Sequence, residues 1–201
     1  MAERGIDWWI TPQSIALVLK YAPELDKRVR PHLSLTNDSW RVDETYIEVK
    51  GEWKYLYPCG GLNGQYTGFY AECEAGCVLA AARFFRKVLK AKHIQMPRVI
   101  TVDKNAAYPV AIETLKADGT LEAETELRQN KYLNNVIEQD HRNVKRITKP
   151  MMEFKSFNTA RQTLRGIEAM NMIRIGQVYG INQGNHVSQA KFIEEIFGVI
   201  A

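Results

Sequence analysis

The short segment from Arg98 to Asp103 constrains the fold more than any other part of the chain. It reads Arg-Val-Ile-Thr-Val-Asp, so a β-branched, mostly apolar run ends directly at a carboxylate. Such a run is typical of a strand buried on both faces, as in α/β folds with parallel strands. Open α/β sheets present ligands at the carboxyl ends of these strands, which makes Asp103 a candidate site residue.

The stretch before this strand predicts an antiparallel meander and then a helix. Trp40–Lys50 is rich in aromatic and β-branched residues, and Gly51-Glu52 supplies a tight turn. Trp53–Tyr57 and Tyr66–Ala71 follow as strands, with glycines marking the turn between them. The next segment has a helical apolar stripe, made of Val78, Ala81, Ala82, Phe85, Val88 and Leu89.

Helical and strand patterns complete the chain in a recognisable order. The remaining predicted elements are two short helices over 12–29 divided by Pro23, a helix from Asn105 to about Ala117, a strand near 126–128, and helices at about 133–148 and 158–178. Meander, helix, strand, helix, strand, helix is the order of a ribonuclease-H-like α/β domain. We therefore expect a mixed sheet of about five strands flanked by helices, with a small N-terminal helical segment.

Composition excludes several classes of protein. Hydrophobic residues make up 45% and charged residues 25% of the 201 residues, which excludes general disorder. No apolar run approaches the length of a membrane span, and the N-terminus does not resemble a secretory signal. The chain has three cysteines, Cys59, Cys73 and Cys77. An odd number without zinc-ligand spacing favours neither a disulfide framework nor a zinc site. These features predict a reduced cytoplasmic protein with no membrane partner.

Positive charge is concentrated in one part of the chain. Between Arg128 and Arg174 there are ten basic and four acidic residues, a formal charge of +6, which leaves −2 for the rest. This pattern indicates a polyanion as partner, although a run of charge is also typical of a solvated helix face.

Three carboxylates stand out by their surroundings. Asp43 lies inside an apolar, aromatic strand, where an unpaired charge is costly, and Glu138 lies in a predicted helix. With Asp103 they could hold two divalent ions, which activate a water or hydroxyl in phosphodiester displacement. Taken singly, each also fits an ordinary structural role as a cap, a turn residue or a solvated helix residue.

The helix around Glu138 separates its residues into two faces. At 100° per residue, Val136, Ile137, Val144 and Ile147 form one apolar stripe, while Glu138, Arg142 and Lys145 cluster on the opposite side. A carboxylate next to two cations suits a metal ligand beside a groove for DNA phosphates. Ion pairs that support the helix are the alternative.

Three blocks of the sequence resemble a known family. They are Trp40-Arg-Val-Asp-Glu-Thr-Tyr, Arg98-Val-Ile-Thr-Val-Asp-Lys-Asn-Ala-Ala-Tyr-Pro and Leu127-Arg-Gln-Asn-Lys-Tyr-Leu-Asn-Asn-Val-Ile-Glu-Gln-Asp-His-Arg. They resemble the signature blocks of the Asp-Asp-Glu transposases of bacterial insertion sequences, in the IS-six group. The spacing of 34 residues between Asp103 and Glu138, and a basic residue seven positions after the glutamate, also match that group. The resemblance covers roughly residues 21–57 and 81–178.

The resemblance implies an enzyme that cuts the 3′ ends of its element and joins them to target DNA. It implies that Asp43, Asp103 and Glu138 bind two Mg²⁺ or Mn²⁺ ions, and that Lys145 acts in catalysis and contacts DNA. It implies double-stranded DNA as partner and a homodimer or larger assembly on that DNA. The residues expected to contact DNA are Arg128, Lys131, Tyr132, His141, Arg142, Lys145, Arg146 and Lys149.

The departures from the family define the expected domains. Residues 1–33 read as a helical remnant of a helix-turn-helix segment, 34–179 as the ribonuclease-H-like catalytic domain, and 180–201 as a divergent tail. Segments 7–20, 58–78 and 180–201 depart from the family pattern. A truncated copy that only binds DNA, and a nuclease that cleaves without joining, are therefore alternative hypotheses. His141 fits a DNA contact and an ordinary hydrogen-bonded imidazole equally well.

Overall fold

The computed structural model describes residues 12–42, 45–61, 66–72, 78–130, 147 and 154–199; for residues 12, 45, 55–61 and 66–72 it describes the backbone alone. The helices in these ranges are α1 (Pro12–Val29), α2 (Val78–Val88), α3 (Ala107–Ala117), α4 (Phe157–Arg174) and α5 (His186–Phe197), with a 3-10 turn at Arg30–His32. The strands are β1 (Ser39–Val42), β2 (Thr45–Val49), β3 (Glu52–Gly61), β4 (Tyr66–Glu72), β5 (Val99–Val102) and β6 (Glu126–Gln129).

Six strands form one mixed sheet. β1 and β2 follow one another along the same side of β3, so the sheet is five strands wide. Both β1 and β2 pair antiparallel with the long strand β3 in one continuous register, from Trp40 opposite Gly61 to Val49 opposite Glu52. On its other side β3 pairs antiparallel with β4. β1 pairs parallel with β5, and β5 pairs parallel with β6. The expected meander, buried strand and mixed sheet are confirmed.

The main core lies between one face of the sheet and helices α2 and α3. Four alternating strand residues, Trp40, Val42, Ile100 and Val102, are at most 1% exposed on this face. The expected stripe of α2 packs here, joined by Phe84. Large apolar side chains from both sides exclude water, which is the main term stabilising this layer.

Two smaller cores hold the remaining helices. Ile47 and Val49 of β2 pack with Phe154 and with Leu164 of α4 on the opposite face of the sheet. The second core joins α1, α4 and α5 through buried residues that include Val29, Met172, Ile173 and Phe192. A cavity of about 400 Å³ lies among these three helices, and its lining includes Val18, Tyr21, Ile147, Met170 and Phe197. None of the described helices could span a membrane.

The prediction of two short helices over 12–29 was wrong, because α1 continues through Pro23 as one helix. An internal proline removes one backbone hydrogen bond and costs roughly 3 kcal/mol. The packing of α1 against α4 offsets this cost, since Ala22 and Val29 are buried and Asp26 pairs with Arg30. Helix propensity is a weak guide where tertiary contacts hold both halves of a helix.

Three element boundaries also differ from expectation. The tight turn lies at Lys50-Gly51, both with positive φ (54° and 73°), as a two-residue hairpin with a type I′ turn requires. Helix α4 ends at Arg174, four residues early, and the tail contains a helix that was not predicted. That helix, α5, begins after Asn185, whose side chain accepts a hydrogen bond from the Ser188 amide, and ends at left-handed Gly198.

Candidate active site

Three parallel strands end at the same edge of the sheet and define the candidate site. β1, β5 and β6 run in one direction, so Val42, Val102 and Gln129 are their last residues at a common edge. Asp103 follows β5 directly and is half-buried. The Asn130 amide, which follows β6, donates to the Val102 carbonyl at 3.0 Å. The sequence prediction that Asp103 ends a strand buried on both faces is confirmed.

Local hydrogen bonds fix the backbone around Asp103. Its Oδ1 accepts from the Asn105 amide at 3.0 Å, and Asn105 Oδ1 accepts from the amide of Ala107, the first residue of α3, at 2.9 Å. The Asn105 side chain therefore satisfies the first amide of α3. From the sequence Asn105 was expected to be the N-cap of this helix, and that was wrong by one residue, because Ala106 occupies the cap position. These two Asx turns hold the Asp103 carboxylate at the strand end while leaving most of its acceptor positions for a ligand.

The strands at this edge have one apolar and one polar face. Trp40, Val42, Ile100 and Val102 point into the main core, so their alternating neighbours point to the other side. On that other side Val99 is the one apolar residue of these three strands, and the remaining residues are polar. We call this group the polar face; its members are Ser39, Arg41, Thr101, Glu126 and Arg128, and Asp103 continues it beyond β5.

Arg128 and Glu126 form a two-point ion pair on the polar face. Arg128 Nε donates to Glu126 Oε1 at 2.9 Å and Nη2 donates to Oε2 at 2.8 Å. This pairing raises the pKa of Arg128 above its usual value and lowers the pKa of Glu126 below its own. Both side chains are about half exposed, so the fork of Arg128 can exchange its carboxylate for another anion at small cost.

Most of the predicted site residues lie outside the described residues. These are Asp43, Glu138, Lys131, Tyr132, His141, Arg142, Lys145, Arg146 and Lys149. Of the predicted site, Asp103 and Arg128 are placed, and both belong to the same side of the sheet. Within the described ranges no three metal-binding side chains cluster.

Sequence reasoning missed one residue of this site, Arg41. It lies on β1 beside Thr101 of β5 and is half-buried on the polar face. The available signal was its spacing, because Arg41 precedes the predicted ligand Asp43 by two residues and therefore shares its side of an extended strand.

The fold and site agree with comparisons to known proteins. The sequence model of a family described as the DDE domain matches residues 37–177. The transposase for insertion sequence-like element IS431mec of Staphylococcus aureus is 32% identical over 177 residues, covering 85% of this chain and 75% of that protein. The transposase for insertion sequence element IS257 in transposon Tn4003, also from Staphylococcus aureus, matches to the same extent.

Solved structures of low sequence identity share the fold. The HTLV-2 integrase catalytic core domain in complex with magnesium (trimeric form) has a TM-score of 0.50 at 12% identity, covering 73% of this chain and 91% of that chain. A simian T-cell lymphotropic virus intasome in complex with PP2A regulatory subunit B56 gamma gives a TM-score of 0.51 at 15% identity. That match covers 74% of this chain and 53% of the intasome chain.

The class of protein is therefore a DNA transposase with a ribonuclease-H-like, integrase-type catalytic fold. Within that class, the chain belongs to the DDE-domain transposases of insertion sequences, as the match over residues 37–177 and the Staphylococcus aureus relatives establish. The resemblance found in its three sequence blocks is confirmed.

Proposed function

We propose that this chain is a metal-dependent transposase that cleaves the 3′ ends of an insertion sequence and joins them to target DNA. The observation that carries the proposal is the position of Asp103, a half-buried carboxylate at the common edge where three parallel strands end. Carboxylates placed at such an edge are suited to hold cations and phosphates above the sheet.

The register of β1 and β5 supports Asp43 as a second ligand. The strands pair from Ser39 with Val99 to Arg41 with Thr101. Continued by two residues, this register brings position 43 beside position 103. Asp43 lies outside the described residues, so its role remains part of the proposal, as does that of Glu138, which is assigned from the family spacing.

The donor chemistry around Asp103 fits a hard divalent cation. Its carboxylate makes no ion pair with a lysine or arginine in the described part of the chain, and its described hydrogen bond uses one oxygen. Mg²⁺ and Mn²⁺ prefer carboxylate oxygens and water as ligands. When bound, two such ions would activate a water or a 3′-hydroxyl and stabilise the leaving oxygen. Asp43, Asp103 and Glu138 would hold them.

The basic residues of the chain would hold the DNA backbone. Phosphate contacts from lysine and arginine position a duplex without reading its sequence. We assign this role to the basic residues Arg128, Lys131, His141, Arg142, Lys145, Arg146 and Lys149, together with the hydroxyl of Tyr132, and we propose that Lys145 also acts in catalysis. Double-stranded DNA would be the partner, both as element ends and as target, and a homodimer or larger assembly would bring two ends together in the bacterial cytoplasm.

Contacts at the chain's two ends support a proposal for its domains. Residues 34–179 would form the catalytic domain, with 1–33 a remnant of an end-binding segment and 180–201 a divergent tail. The described parts of both flanking segments pack on α4, since Val29 and Phe192 share one core with Met172 and Ile173. Contact of this kind would let an end-binding segment hold DNA in a set orientation to the catalytic edge.

The test is a strand-transfer assay with DNA that carries the sequences flanking the coding region, in Mg²⁺ and in Mn²⁺. Asp43→Asn, Asp103→Asn and Glu138→Gln should each lower the rate by several orders of magnitude, because each removes a charged metal ligand. DNA binding should persist in all three. Glu113→Gln on the exposed side of α3 is the matched control and should retain the parent rate.

The same assay separates the alternatives. Strand transfer by the parent protein supports the transposase, cleavage without joining supports a nuclease, and binding without either reaction supports a truncated copy that only binds DNA. Equal rates for the parent and the three carboxylate variants would overturn the assignment of the metal ligands.

A further inference from the structure

Arg41 occupies a central position in the sheet beside the candidate active site. On one side its strand partner is Gly60 of β3, and on the other it is Thr101 of β5. Asp103 lies two residues beyond Thr101, on the same side of the sheet. With neighbouring strands about 4.8 Å apart and a rise of about 3.3 Å per residue, an arginine side chain at 41 can reach the space in front of Asp103.

One neighbour of Arg41 adds no bulk beside it. Gly60 has no side chain, so no β-carbon stands beside Arg41 on the β3 side. The pairing of β3 with β4 shifts its register between Cys59 and Gly60, which is the mark of a bulge or irregularity. Glycines inside strands and bulges are frequent where a ligand approaches the backbone closely.

The charge of Arg41 is not balanced by a carboxylate in the described part of the chain. Arg28, Arg30, Arg86, Arg98 and Arg128 each pair with an aspartate or glutamate there. Arg41 does not, although it is half-buried and therefore less hydrated than an exposed arginine. A guanidinium in such a position favours an anion, and its planar fork matches a phosphate at two points.

We propose that Arg41 binds a phosphate of the DNA strand that reacts beside Asp103. This inference rests on the proposed transposase function and names a substrate-binding residue within it. A phosphate held by the Arg41 guanidinium would lie towards Asp103, at the carboxylate edge, because Thr101 itself is buried. The competing role for Arg41 is structural, with its aliphatic stem covering apolar surface and its head in water.

The experiment uses the full chain with three substitutions at Arg41 and one control. Arg41→Ala and Arg41→Gln remove the charge, Arg41→Lys keeps the charge without the fork, and Arg161→Ala removes an exposed arginine of α4 whose described hydrogen bond is to Asn158. Binding of a labelled duplex of random sequence is titrated with salt in EDTA. Single-turnover strand transfer is then measured in Mg²⁺, and thermal melting confirms that each variant is folded.

Both neutral variants should reduce the log–log salt slope by about 0.9, the value for one lost phosphate contact. They should also slow strand transfer about 100-fold, as loss of one donor to a reacting oxygen does. Arg41→Lys should retain the slope and remain at least about 10-fold slow, because an ammonium cannot reproduce the fork. Arg161→Ala should retain the parent rate.

Unchanged slopes and rates in the neutral variants would overturn the proposal, as would full activity of Arg41→Lys. Lower melting temperatures with unchanged slopes would assign Arg41 the structural role instead. If neither neutral variant folds, the rate of Arg41→Lys alone decides between the two. A parent protein without strand-transfer activity would contradict the proposed function, while the salt slopes would still test the phosphate contact.

Discussion

Gly166 of α4 and Ala22 of α1 lie in direct contact where the two helices cross. A β-carbon built on Gly166 would overlap the β-carbon of Ala22 and stand 3.2 Å from its α-carbon. Neither obstructing atom belongs to the end of a long side chain, so the helices would have to separate. This close approach sets the distance between α1 and α4.

We expect Gly166→Ala to destabilise the protein although alanine favours helix. The gain in helix propensity is about 1 kcal/mol, whereas overpacking a tight contact costs roughly 1–3 kcal/mol and here moves backbone. Urea unfolding should show a lower midpoint at an unchanged slope. Adding Ala22→Gly should recover part of the loss, because the two positions are coupled through one contact. A single variant as stable as the parent would contradict the close contact.

A buried ionic cluster joins the turn after α1 to α4. Arg30 Nη2 lies 2.8 Å from Asp26 Oδ1 and 3.0 Å from Glu168 Oε1, and these carboxylate residues are only 6% and 3% exposed. Burial opposes the charge on Arg30, but attraction to Glu168 and Asp26, and the hydrogen bonds that Arg30 donates to these carboxylates, outweigh it and raise the pKa of Arg30. The cluster fastens residues 26–30 to the helix at the centre of the C-terminal core.

Arg30→Met should therefore destabilise the fold strongly, because it leaves two buried carboxylates without their cation. We expect the free energy of unfolding to fall by roughly 2–4 kcal/mol. This is low for a buried ion pair, because Arg30 keeps some contact with water. Arg98→Met is the matched control, because it removes an exposed pair with Asp38 and should cost under about 1 kcal/mol. Urea unfolding measures the stability of both variants. Equal losses of stability would show that the Arg30 cluster contributes no more than the exposed Arg98–Asp38 pair.

Asp118 should make stability depend on acid pH. Hydrogen bonds from Arg86 and then Thr120 lower the pKa of Asp118 to about 2 from the usual 3.8. A depressed pKa contributes stability that is present above the unfolded value and is lost as the pH falls towards the folded value. The stability difference between the parent and Asp118→Asn should thus be constant near neutral pH and shrink below about pH 4. A difference that grew on acidification would contradict this sign.

The position of Asp103 could be predicted from the sequence because all of its signals are local. Four residues of a fully buried strand and the polar turn after it lie within one short segment, and the Asn105 side chain accepts a hydrogen bond from the first amide of α3. The meander was equally local, since each strand and each turn has its own residues. The pairing of strands and the packing of helices from distant segments were harder to predict.

The register between β1 and β5 illustrates that limit. Sequence identifies both strands, but their alignment depends on how Trp40 and Ile100 pack together in the main core. The spacing to Asp43 relates Arg41 to one predicted ligand, but only this register pairs Arg41 with Thr101, two residues before Asp103. The continuity of α1 through Pro23 has the same origin, because packing on α4 decides it. Helix α5 differs, since the residues at its two ends, Asn185 and Gly198, are local signals for the start and the end of a helix.

The final prediction concerns the pair of Glu126 and Arg128 on the polar face. If Arg128 contacts DNA, it must exchange the Glu126 carboxylate for a phosphate, because its fork is occupied at 2.8 and 2.9 Å. Glu126→Gln weakens that competition and removes one negative charge. We expect several-fold tighter binding to a duplex at low salt and a salt slope steeper by up to about 0.9, the value for one phosphate contact.

The control must change the net charge equally and release an arginine elsewhere. Asp118→Asn does both, because Asp118 pairs with Arg86 of α2, a residue outside the polar face. Long-range attraction alone would give the two variants similar binding, whereas a local contact by Arg128 gives Glu126→Gln the larger effect and the steeper slope. Arg128→Gln should then abolish the gain from Glu126→Gln in the double variant. Identical titrations for Glu126→Gln and Asp118→Asn would show that Glu126 and Arg128 form an ordinary solvent-exposed ion pair. Arg128 would then not belong to the DNA-binding surface.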